Sequence, residues 1–324
     1  MTESFSLRQV VLSSSAPRLE NEFSIGICAA DHAAKLNELL DTINKERYPT
    51  GFVLNSIIIV GSGLNQEACL ILRALAARNA KLIVIEEPVR RGKAEAINRI
   101  LEEYTGSFLV LVNSDAHPER GAIARLLSVI AEDNNVGMVS ASPVLGDAPG
   151  ITGAVLRLMW GVHNECLQTL NDGGRNNHCC DELTVLRSSA IRKLPQDTVN
   201  DGAFLAGSAY AEGYSIQFCQ GASVLIDVPS RFPDVLRQRR RILYGHFQIR
   251  RVTGKSPRTM ESMLVIDPRM SFVMLARTLR KSPRLIVALP IAIIGEAISV
   301  AMAILDTMSA KAKHVPWTRF GAKS

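Results

Sequence analysis

The stretch SFLVLVNSDAHP, residues 107–118, decides the fold, because an unbroken apolar run ends there in the polar cluster Asn113, Ser114 and Asp115. A run that is apolar on both faces is typical of a strand in a parallel sheet covered by helices on both sides. Three similar runs precede it, each followed by an amphipathic stretch: FSIGICA (23–29), SIIIV (56–60) and KLIVIE (81–86). This alternation predicts βαβ units and an α/β fold with a doubly wound, mostly parallel sheet.

The amphipathic stretches predict helices at 33–44, 66–78 and 92–103, with Asp31 as the N-cap of the first. After about residue 143 the rhythm changes. A long helical stretch (151–170) is followed by a polar, glycine-rich loop and a short strand near 183–187. The second half is therefore predicted to be mixed and less regular than the first.

Composition narrows the classes of function. The chain has 324 residues, of which 47% are apolar, and this excludes disorder as its main state. Its net charge is +6, but aromatic residues make up only 5%, too few for a series of nucleic-acid stacking platforms. Nine basic residues and one acidic residue lie between Arg231 and Arg258. The basicity forms one patch, and we expect no nucleic-acid partner.

Six scattered cysteines fit neither a disulfide framework nor a zinc site, which favours a reducing compartment. The first 23 residues lack the basic start and apolar run of a signal peptide, so export of the soluble part is not expected. For the loop around His178, Cys179 and Cys180 we favour buried thiols over a metal site. His163, in an apolar helix beside Trp160, is predicted to be a packed core residue.

Residues 285–305 carry Glu296 as their only charge. As a helix the segment is roughly 31 Å long, about the thickness of a bilayer core. Basic residues on both sides and Trp317 suit anionic headgroups, and we expect a membrane-embedded helix. Because Pro290 and Glu296 oppose a simple span, an in-plane or re-entrant helix and a buried dimer helix remain alternatives. The stripe of Phe, Met and Leu residues at 270–279 predicts an amphipathic helix leading into the segment.

Two motifs follow predicted strands, at the edge where such sheets bind ligands. Asn113 and Asp115, at i and i+2 on a strand-end turn, can share a hard divalent cation. The alternative is an Asx turn that caps the next helix. The motif RRGKAEAIN (90–98) puts Gly92 and Lys93 at a helix N-terminus, a position that suits a phosphate-bearing ligand. A solvated basic cap is the alternative there.

Two distal segments carry a carboxylate and a basic cluster. TVNDGAFLAG puts Asp201 at the start of a helix, and VLRQRRRILYG supplies Gln238 and the arginines 239–241. Group transfer from a phosphate leaving group needs a proton acceptor and cations that neutralise developing charge. Polar residues on a solvated helix face would give the same pattern, so the order and spacing of all the motifs matter more than any one.

In this order the motifs resemble family-two glycosyltransferases of the GT-A fold, over about residues 23–254. The resemblance implies inverting transfer from a nucleotide-sugar donor, with Mg²⁺ or Mn²⁺ as cofactor. Asn113 and Asp115 match the family's DxD metal motif, Asp201 matches its general base, and Gln238 and Arg241 match the QxxRW motif at the donor diphosphate and the acceptor mouth.

The resemblance assigns further positions to the donor pocket: Ala30 and Asp31 under the nucleotide base, Gly61 at the end of the second strand, Lys93 and Asn98 along the pocket, and Ser114 inside the metal motif.

Four positions depart from the family pattern. Gly61 stands where many members carry an acid that binds uracil, so the identity of the nucleotide base in the donor is not predicted. Asn113 removes one negative charge and predicts weaker metal affinity. Asn200 replaces the acid before Asp201, and Ile242 stands where processive synthases carry Trp. We therefore expect non-processive transfer of one or a few sugars.

The sequence predicts a metal-dependent, hexosyltransferase-type enzyme at the cytoplasmic face of the cell membrane, membrane-associated or single-pass, with a lipid-linked or membrane-proximal glycan acceptor. Its predicted regions are an N-terminal extension (1–20), a nucleotide-sugar-binding half (21–142), an acceptor-binding half (143–258) and an amphipathic, membrane-associated region (259–324).

Two other functions compete with this one. A catalytically degenerate membrane scaffold or partner subunit is suggested by the missing acids at Gly61, Asn113 and Asn200. A dinucleotide-dependent oxidoreductase is suggested by Gly61-Ser62-Gly63 alone, but Gln66 occupies the third glycine position of that fingerprint.

Overall fold

The structure is a computed structural model that describes residues 21–29, 33–309 and 314. The predicted extension 1–20, the N-cap Asp31 and the base-contacting Ala30 lie outside the described residues.

One eight-stranded sheet forms the centre of the fold, in the order β3-β2-β1-β4-β7-β6-β8-β5. Strands β3, β2, β1 and β4 are mutually parallel, whereas β7 runs antiparallel to both of its neighbours, β4 and β6. The strands are β1 (Glu22–Ala29), β2 (Val53–Ser62), β3 (Leu82–Glu87), β4 (Phe108–Asn113), β5 (His117–Pro118), β6 (Val136–Leu145), β7 (Leu183–Arg187) and β8 (Ser215–Ile226).

Ten α-helices are present in the described residues: α1 (Ala33–Lys45), α2 (Gln66–Ala76), α3 (Lys93–Glu103), α4 (Ala122–Glu132), α5 (Gly150–Asp172), α6 (Asp201–Ala211), α7 (Phe232–Thr253), α8 (Met260–Ile266), α9 (Pro268–Lys281) and α10 (Leu289–Thr307). Short 3-10 turns occupy Ser188–Ala190 and Pro283–Ala288. The predicted bounds of the elements in the first half agree within two residues, except that β2 begins at Val53 and not at Ser56.

Both faces of the sheet are buried. In β2, Ile57 and Ile59 pack in one core with α1 and α4, while Ile58 and Val60 pack in a second core with α3 and α6. Because successive side chains of a strand point to opposite faces, only a strand that is apolar throughout can serve both cores. The predicted α/β fold with helices on both faces of a mostly parallel sheet is confirmed.

The C-terminal helix α10 packs along α7 rather than extending away from the protein. On its inner face, Glu296 pairs with Arg239, and Asp306 pairs with Arg240. The segment Pro283–Thr307 contains an 18-residue stretch with a mean hydropathy of 2.3 and is long and apolar enough to cross a bilayer, yet only 22% of that stretch is buried. Its outer face is therefore a broad exposed apolar surface.

Candidate active site

A cavity of about 260 Å³ opens at the edge of the sheet where β1, β2 and β4 end. Its wall includes Lys93, Asn113, Ser114, Asp115, Asp201, Gln238 and Arg241, seven of the residues predicted for the site. These come from positions more than 140 apart in the chain. The fold therefore brings together the donor, metal and catalytic motifs that the sequence predicted separately.

The turn after β4 presents Asn113 and Asp115 to the cavity. The Ala116 amide donates to the Asn113 carbonyl (3.0 Å), which closes a tight turn, while α4 begins only at Ala122 with Gly121 as its cap. The Asn113 side chain instead donates through Nδ2 to Oε2 of Glu182 at 2.6 Å. The prediction that this turn caps the next helix is therefore wrong.

Glu182 is a site residue that the sequence analysis missed. Burial raises the pKa of this carboxyl to about 8, and the nearby charges of Asp181 and Asp115 add to the rise. It stands beside the metal motif because β7 is antiparallel to β4, which pairs Val112 with Leu183. The local excess of negative charge fits a hard divalent cation, for which carboxylate and amide oxygens are the preferred ligands.

The metal ligands provided by the protein are few. Among the described residues, no three His, Cys, Asp or Glu side chains form a group that could hold a metal ion by themselves. Asp115, Glu182 and the amide of Asn113 could supply two carboxylates and one neutral oxygen. A cation there would need further ligands, which the oxygens of a diphosphate can provide.

Lys93 links two carboxylates at the centre of the cavity. Its Nζ lies 2.8 Å from Oδ2 of Asp201 and 3.2 Å from Oδ2 of Asp181. Burial alone would lower the pKa of Lys93, but the two carboxylates outweigh it and raise that pKa well above its ordinary value. Lys93 is therefore a fixed cation at the start of α3, where the predicted phosphate position lies.

Asp201 is the first residue of α6 and is 5% exposed. Its neighbour Asn200 caps that helix, accepting the Ala203 amide through Oδ1 at 3.1 Å. A cap explains why an amide is tolerated where the family carries an acid, since Asn is among the best N-cap residues. The departure at Asn200 thus has a structural reason.

The three arginines of the predicted cluster on α7, residues 239–241, lie in different surroundings. Arg241 lines the cavity, and its Nη2 donates to the Val199 carbonyl at 2.9 Å. Arg239 is buried between Glu261 and Glu296, and Arg240 is bound by Asp306. Two of the three arginines at 239–241 are therefore neutralised by carboxylates of α8 and α10, which leaves Arg241 as the member of this cluster that is placed to meet a phosphate.

Two predicted donor-pocket residues do not lie on the cavity wall. Asn98 is 2% exposed and exchanges two hydrogen bonds of 2.8 Å with the backbone of Leu194. Gly61 sits under Leu64, whose Cδ1 would lie 2.5 Å from an added Cβ, and the wall residue is the adjacent Ser62. Asn98 therefore holds the loop before α6, and Gly61 makes room for a packed leucine.

Three histidines line the other end of the cavity. His163, His178 and His246 stand in a row, with ring centroids 6.0 and 5.1 Å apart, and Trp160 contacts His163 at 5.1 Å. Burial lowers the pKa values of the three to about 3, 4 and 3 respectively. His163 was predicted as a packed core residue, and the structure places it on the wall of the cavity. The row as a whole was missed.

The fold is that of the GT-A type. A mannosyltransferase from Pyrobaculum calidifontis, solved with GDP-Man and Mn²⁺, superposes with a TM-score of 0.61 and 19% identity, covering 89% of this chain and 87% of that one. GalNAc-T7, solved with UDP, GalNAc and Mn²⁺, gives a TM-score of 0.50 and 11% identity over 66% and 44% of the two chains. At these identities the likeness shows the fold.

Residues 24–194 match the family model described as Glycosyl transferase family 2. That is more than half of the chain, and the chain belongs to this family. The poly-beta-1,6-N-acetyl-D-glucosamine synthase of Staphylococcus aureus is 20% identical over 199 residues, which cover 60% of this chain. The chain spans about half the length of this curated relative, 48% of which is aligned.

Proposed function

We propose that the chain is an inverting, metal-dependent glycosyltransferase of the hexosyltransferase type that uses a nucleotide-sugar donor. The observation that supports this most is the convergence of Lys93, Asp115, Asp201 and Arg241 on one cavity in a chain of glycosyl transferase family 2. A phosphate-binding cation, a metal-binding carboxylate and a proton acceptor are the three groups that such a transfer needs.

Asp201 accepts the proton of the acceptor hydroxyl, whose oxygen forms the new bond to the anomeric carbon. On the opposite face the bond from that carbon to the diphosphate oxygen breaks, and its electron pair leaves with the nucleoside diphosphate. One displacement therefore inverts the anomeric centre. Lys93 holds Asp201 through their ion pair, and with Arg241 it neutralises charge on the departing diphosphate.

Asp115, Glu182 and Asn113 would hold Mg²⁺ or Mn²⁺. When bound, the cation neutralises the diphosphate and makes it a better leaving group. The chain's own contribution is the placement of the ligands, because the 2.6 Å hydrogen bond from Asn113 fixes the Glu182 carboxylate beside the DxD-like turn. A bound cation would favour the ionised form of Glu182, which would then offset the negative charge that Asn113 lacks.

Transfer is proposed to be non-processive. Ile242 lines the cavity at the position where processive members carry Trp, so this position offers no aromatic platform to a growing chain. The staphylococcal relative is named as a polymer synthase. The length of the glycan product should therefore distinguish this chain, for which transfer of one or a few sugars is expected, from that relative.

We propose further that the protein sits on the cytoplasmic face of the cell membrane with α10 in the plane of the bilayer surface. The outer face of the segment exposes large apolar side chains: Val287 (66%), Ile293 (60%), Ile294 (61%), Leu305 (65%) and Met308 (78%). Two charged residues of its inner face are ion-paired to α7. A helix with one apolar face and one protein-bound face suits a position in the membrane–water interface better than a position across the bilayer.

Basic side chains at the end of α9 and just beyond it, Arg277, Arg280, Lys281 and Arg284, are exposed beside this apolar surface and suit anionic lipid headgroups. Flotation with anionic and zwitterionic vesicles tests the placement. The proposal expects binding that favours anionic vesicles and weakens on replacement of Ile293 and Ile294 by Ser. A helix whose two ends react with impermeant reagents from opposite sides of sealed vesicles would contradict it.

Turnover tests the proposed activity. The full chain is incubated with Mn²⁺ and a panel of UDP-, GDP-, CDP- and dTDP-sugars in the presence of membrane lipids, and nucleoside diphosphate release is measured. The product's anomeric configuration is then determined by NMR. Release of a nucleoside diphosphate with inversion supports the proposal, whereas retention overturns the inverting mechanism. Absence of binding and release with every donor would favour the scaffold alternative.

A further inference from the structure

The end of the cavity lined by Trp160, His163, His178, His246 and Glu261, here called the histidine chamber, has no role in the mechanism above. Its walls come from α5, the loop after α5, α7 and the first turn of α8. It is continuous with the end of the cavity that contains Asp201. A group bound in the chamber would share one space with the proposed base.

The chamber is built from one face of each long helix. On α5 the wall residues Leu156, Met159, Trp160 and His163 occur at i, i+3, i+4 and i+7. On α7, the residues Gln238, Ile242 and His246 are spaced by four. Residues with these spacings project from one side of a helix. The cavity therefore extends along both helices from the donor motifs to the histidine row.

Several buried polar atoms in the chamber lack a hydrogen-bond partner among the described residues: Nε2 of His163, Nδ1 of His178, Nε2 of His246 and Oε2 of Glu261. His178 is 5% exposed and His246 is 9% exposed. Buried polar groups are costly unless they are hydrogen-bonded. Four such atoms on side chains that line one space suit a ligand that carries several hydroxyl groups.

The charge of the chamber argues against an anionic ligand. Its one buried cation, Arg239, is already held by Glu261 and Glu296, so this triad carries a net negative charge. The histidines are neutral near pH 7 because burial lowers their pKa values to about 3 to 4. By contrast, Arg90, Lys93 and Arg241 line the donor end. A phosphate group belongs at that end.

We propose that the histidine chamber binds the uncharged, hydroxyl-bearing head of the acceptor, a sugar or polyol ring, with Trp160 as its aromatic contact. The proposal rests on the proposed function in that it identifies the bound group as the acceptor. The acceptor class is then a neutral glycoside or polyol. An acceptor such as a lipid phosphate, whose phosphate group would have to enter the chamber, is excluded.

Trp160 provides a direct reporter, because the chain has only two tryptophans. The full chain with Trp317→Phe is titrated with methyl glycosides of glucose, mannose, galactose and N-acetylglucosamine, with glycerol, with inorganic phosphate and with farnesyl phosphate. At least one neutral probe is expected to change the Trp160 fluorescence saturably, while neither phosphate probe does.

His178→Leu and His246→Leu are each expected to weaken that binding about tenfold, the loss of roughly one buried hydrogen bond. His117→Leu, on β5 outside the chamber, is the matched control and keeps wild-type affinity. His178→Gln, which retains polar atoms, is measured alongside, and thermal unfolding identifies any variant that fails to fold.

Failure of the chamber proposal can be distinguished from failure of the proposed function. Each sample is also titrated with UDP and GDP in the presence of Mn²⁺. If a nucleotide binds and no neutral probe does, or if the folded histidine variants bind like wild type, the chamber proposal is overturned and the proposed function stands. If neutral probes bind through the histidines and no nucleotide binds, the chamber stands as a binding site and the proposed function fails.

Discussion

The two ends of the cavity differ in how they handle charge. The donor end concentrates ions, with Lys93 between Asp201 and Asp181 and with Glu182 beside Asp115. The histidine chamber keeps its imidazoles neutral and compensates its one buried arginine. An ionic end suits a diphosphate and a metal, and a neutral polar end suits a hydroxyl-bearing group. Under the proposed function, this difference in charge separates the position of the donor from that of the acceptor.

The most damaging change is expected at the boundary between the two ends. Asp201→Asn removes the proton acceptor but keeps the size of the side chain, so kcat should fall about 10²- to 10⁴-fold while donor binding is largely retained. Steady-state turnover and calorimetric donor titration measure the two effects. Asp197→Asn, an exposed acid shortly before α6, is the matched control. An active Asp201→Asn enzyme would refute the assignment of the base.

The next largest effect concerns the buried triad under the chamber. Arg239→Met leaves Glu261 and Glu296 as uncompensated buried charges, which should cost about 3–5 kcal/mol of unfolding free energy. Denaturant unfolding measures this loss. Adding Glu261→Gln and Glu296→Gln should restore most of the stability, whereas Arg237→Met, which removes an exposed guanidinium paired with Asp234, should cost less than about 1 kcal/mol. Equal losses for Arg239→Met and Arg237→Met would contradict the charge balance inferred here.

A smaller effect is expected at the donor end. Glu182→Gln removes the carboxylate that offsets the charge missing at Asn113, and Mn²⁺ affinity in the presence of nucleoside diphosphate should fall about 10- to 100-fold. Electron paramagnetic resonance of free Mn²⁺ measures the affinity without relying on turnover. Glu119→Gln, on the loop after β5, serves as the control. Unchanged Mn²⁺ affinity in Glu182→Gln would exclude this residue from the metal site.

The last effect, which is the smallest near neutral pH, is a pH dependence that belongs to the histidine end. Because the native pKa values are lowered to about 3 to 4, the unfolded chain binds more protons than the native chain below about pH 6.5. Unfolding free energy should therefore fall as pH drops from 6.5 towards 4, by up to about 1.4 kcal/mol per pH unit for each histidine. His178→Gln should reduce that slope. A slope unaffected by His178→Gln would show that this imidazole is not kept neutral.

The first half of the fold could be predicted because apolar runs and amphipathic stretches alternate along the chain. The apolar runs that begin at Phe23, Ser56 and Lys81 are each followed by an amphipathic stretch. This local pattern identifies each strand and the helix after it. The antiparallel direction of β7 could not be predicted, because the direction of a strand depends on the path of the chain around the sheet and not on its own five residues. Glu182 was missed for that reason, since only an antiparallel β7 places it beside Asn113.

The site was predictable where a motif is continuous in sequence and not where it is assembled from distant segments. Asn113 to Asp115 is one tripeptide, and its position on the cavity wall follows from the end of β4. The histidine row joins residues 163, 178 and 246, and no local pattern connects them. The partners of Arg239 and Arg240 on α10 lie 57 and 66 residues further along the chain, so exposed and neutralised arginines look identical in the sequence.

Calorimetry of two ligands with two variants tests the division of the cavity most directly. Wild type, Asp115→Ala and His178→Leu are each titrated with UDP and GDP plus Mn²⁺, and separately with the neutral methyl glycosides. Asp115→Ala is expected to lose Mn²⁺-linked nucleotide binding but to keep glycoside binding, and His178→Leu is expected to show the reverse. Loss of both ligands in either folded variant, or loss of neither in both, would contradict the assignment of donor and acceptor to separate ends.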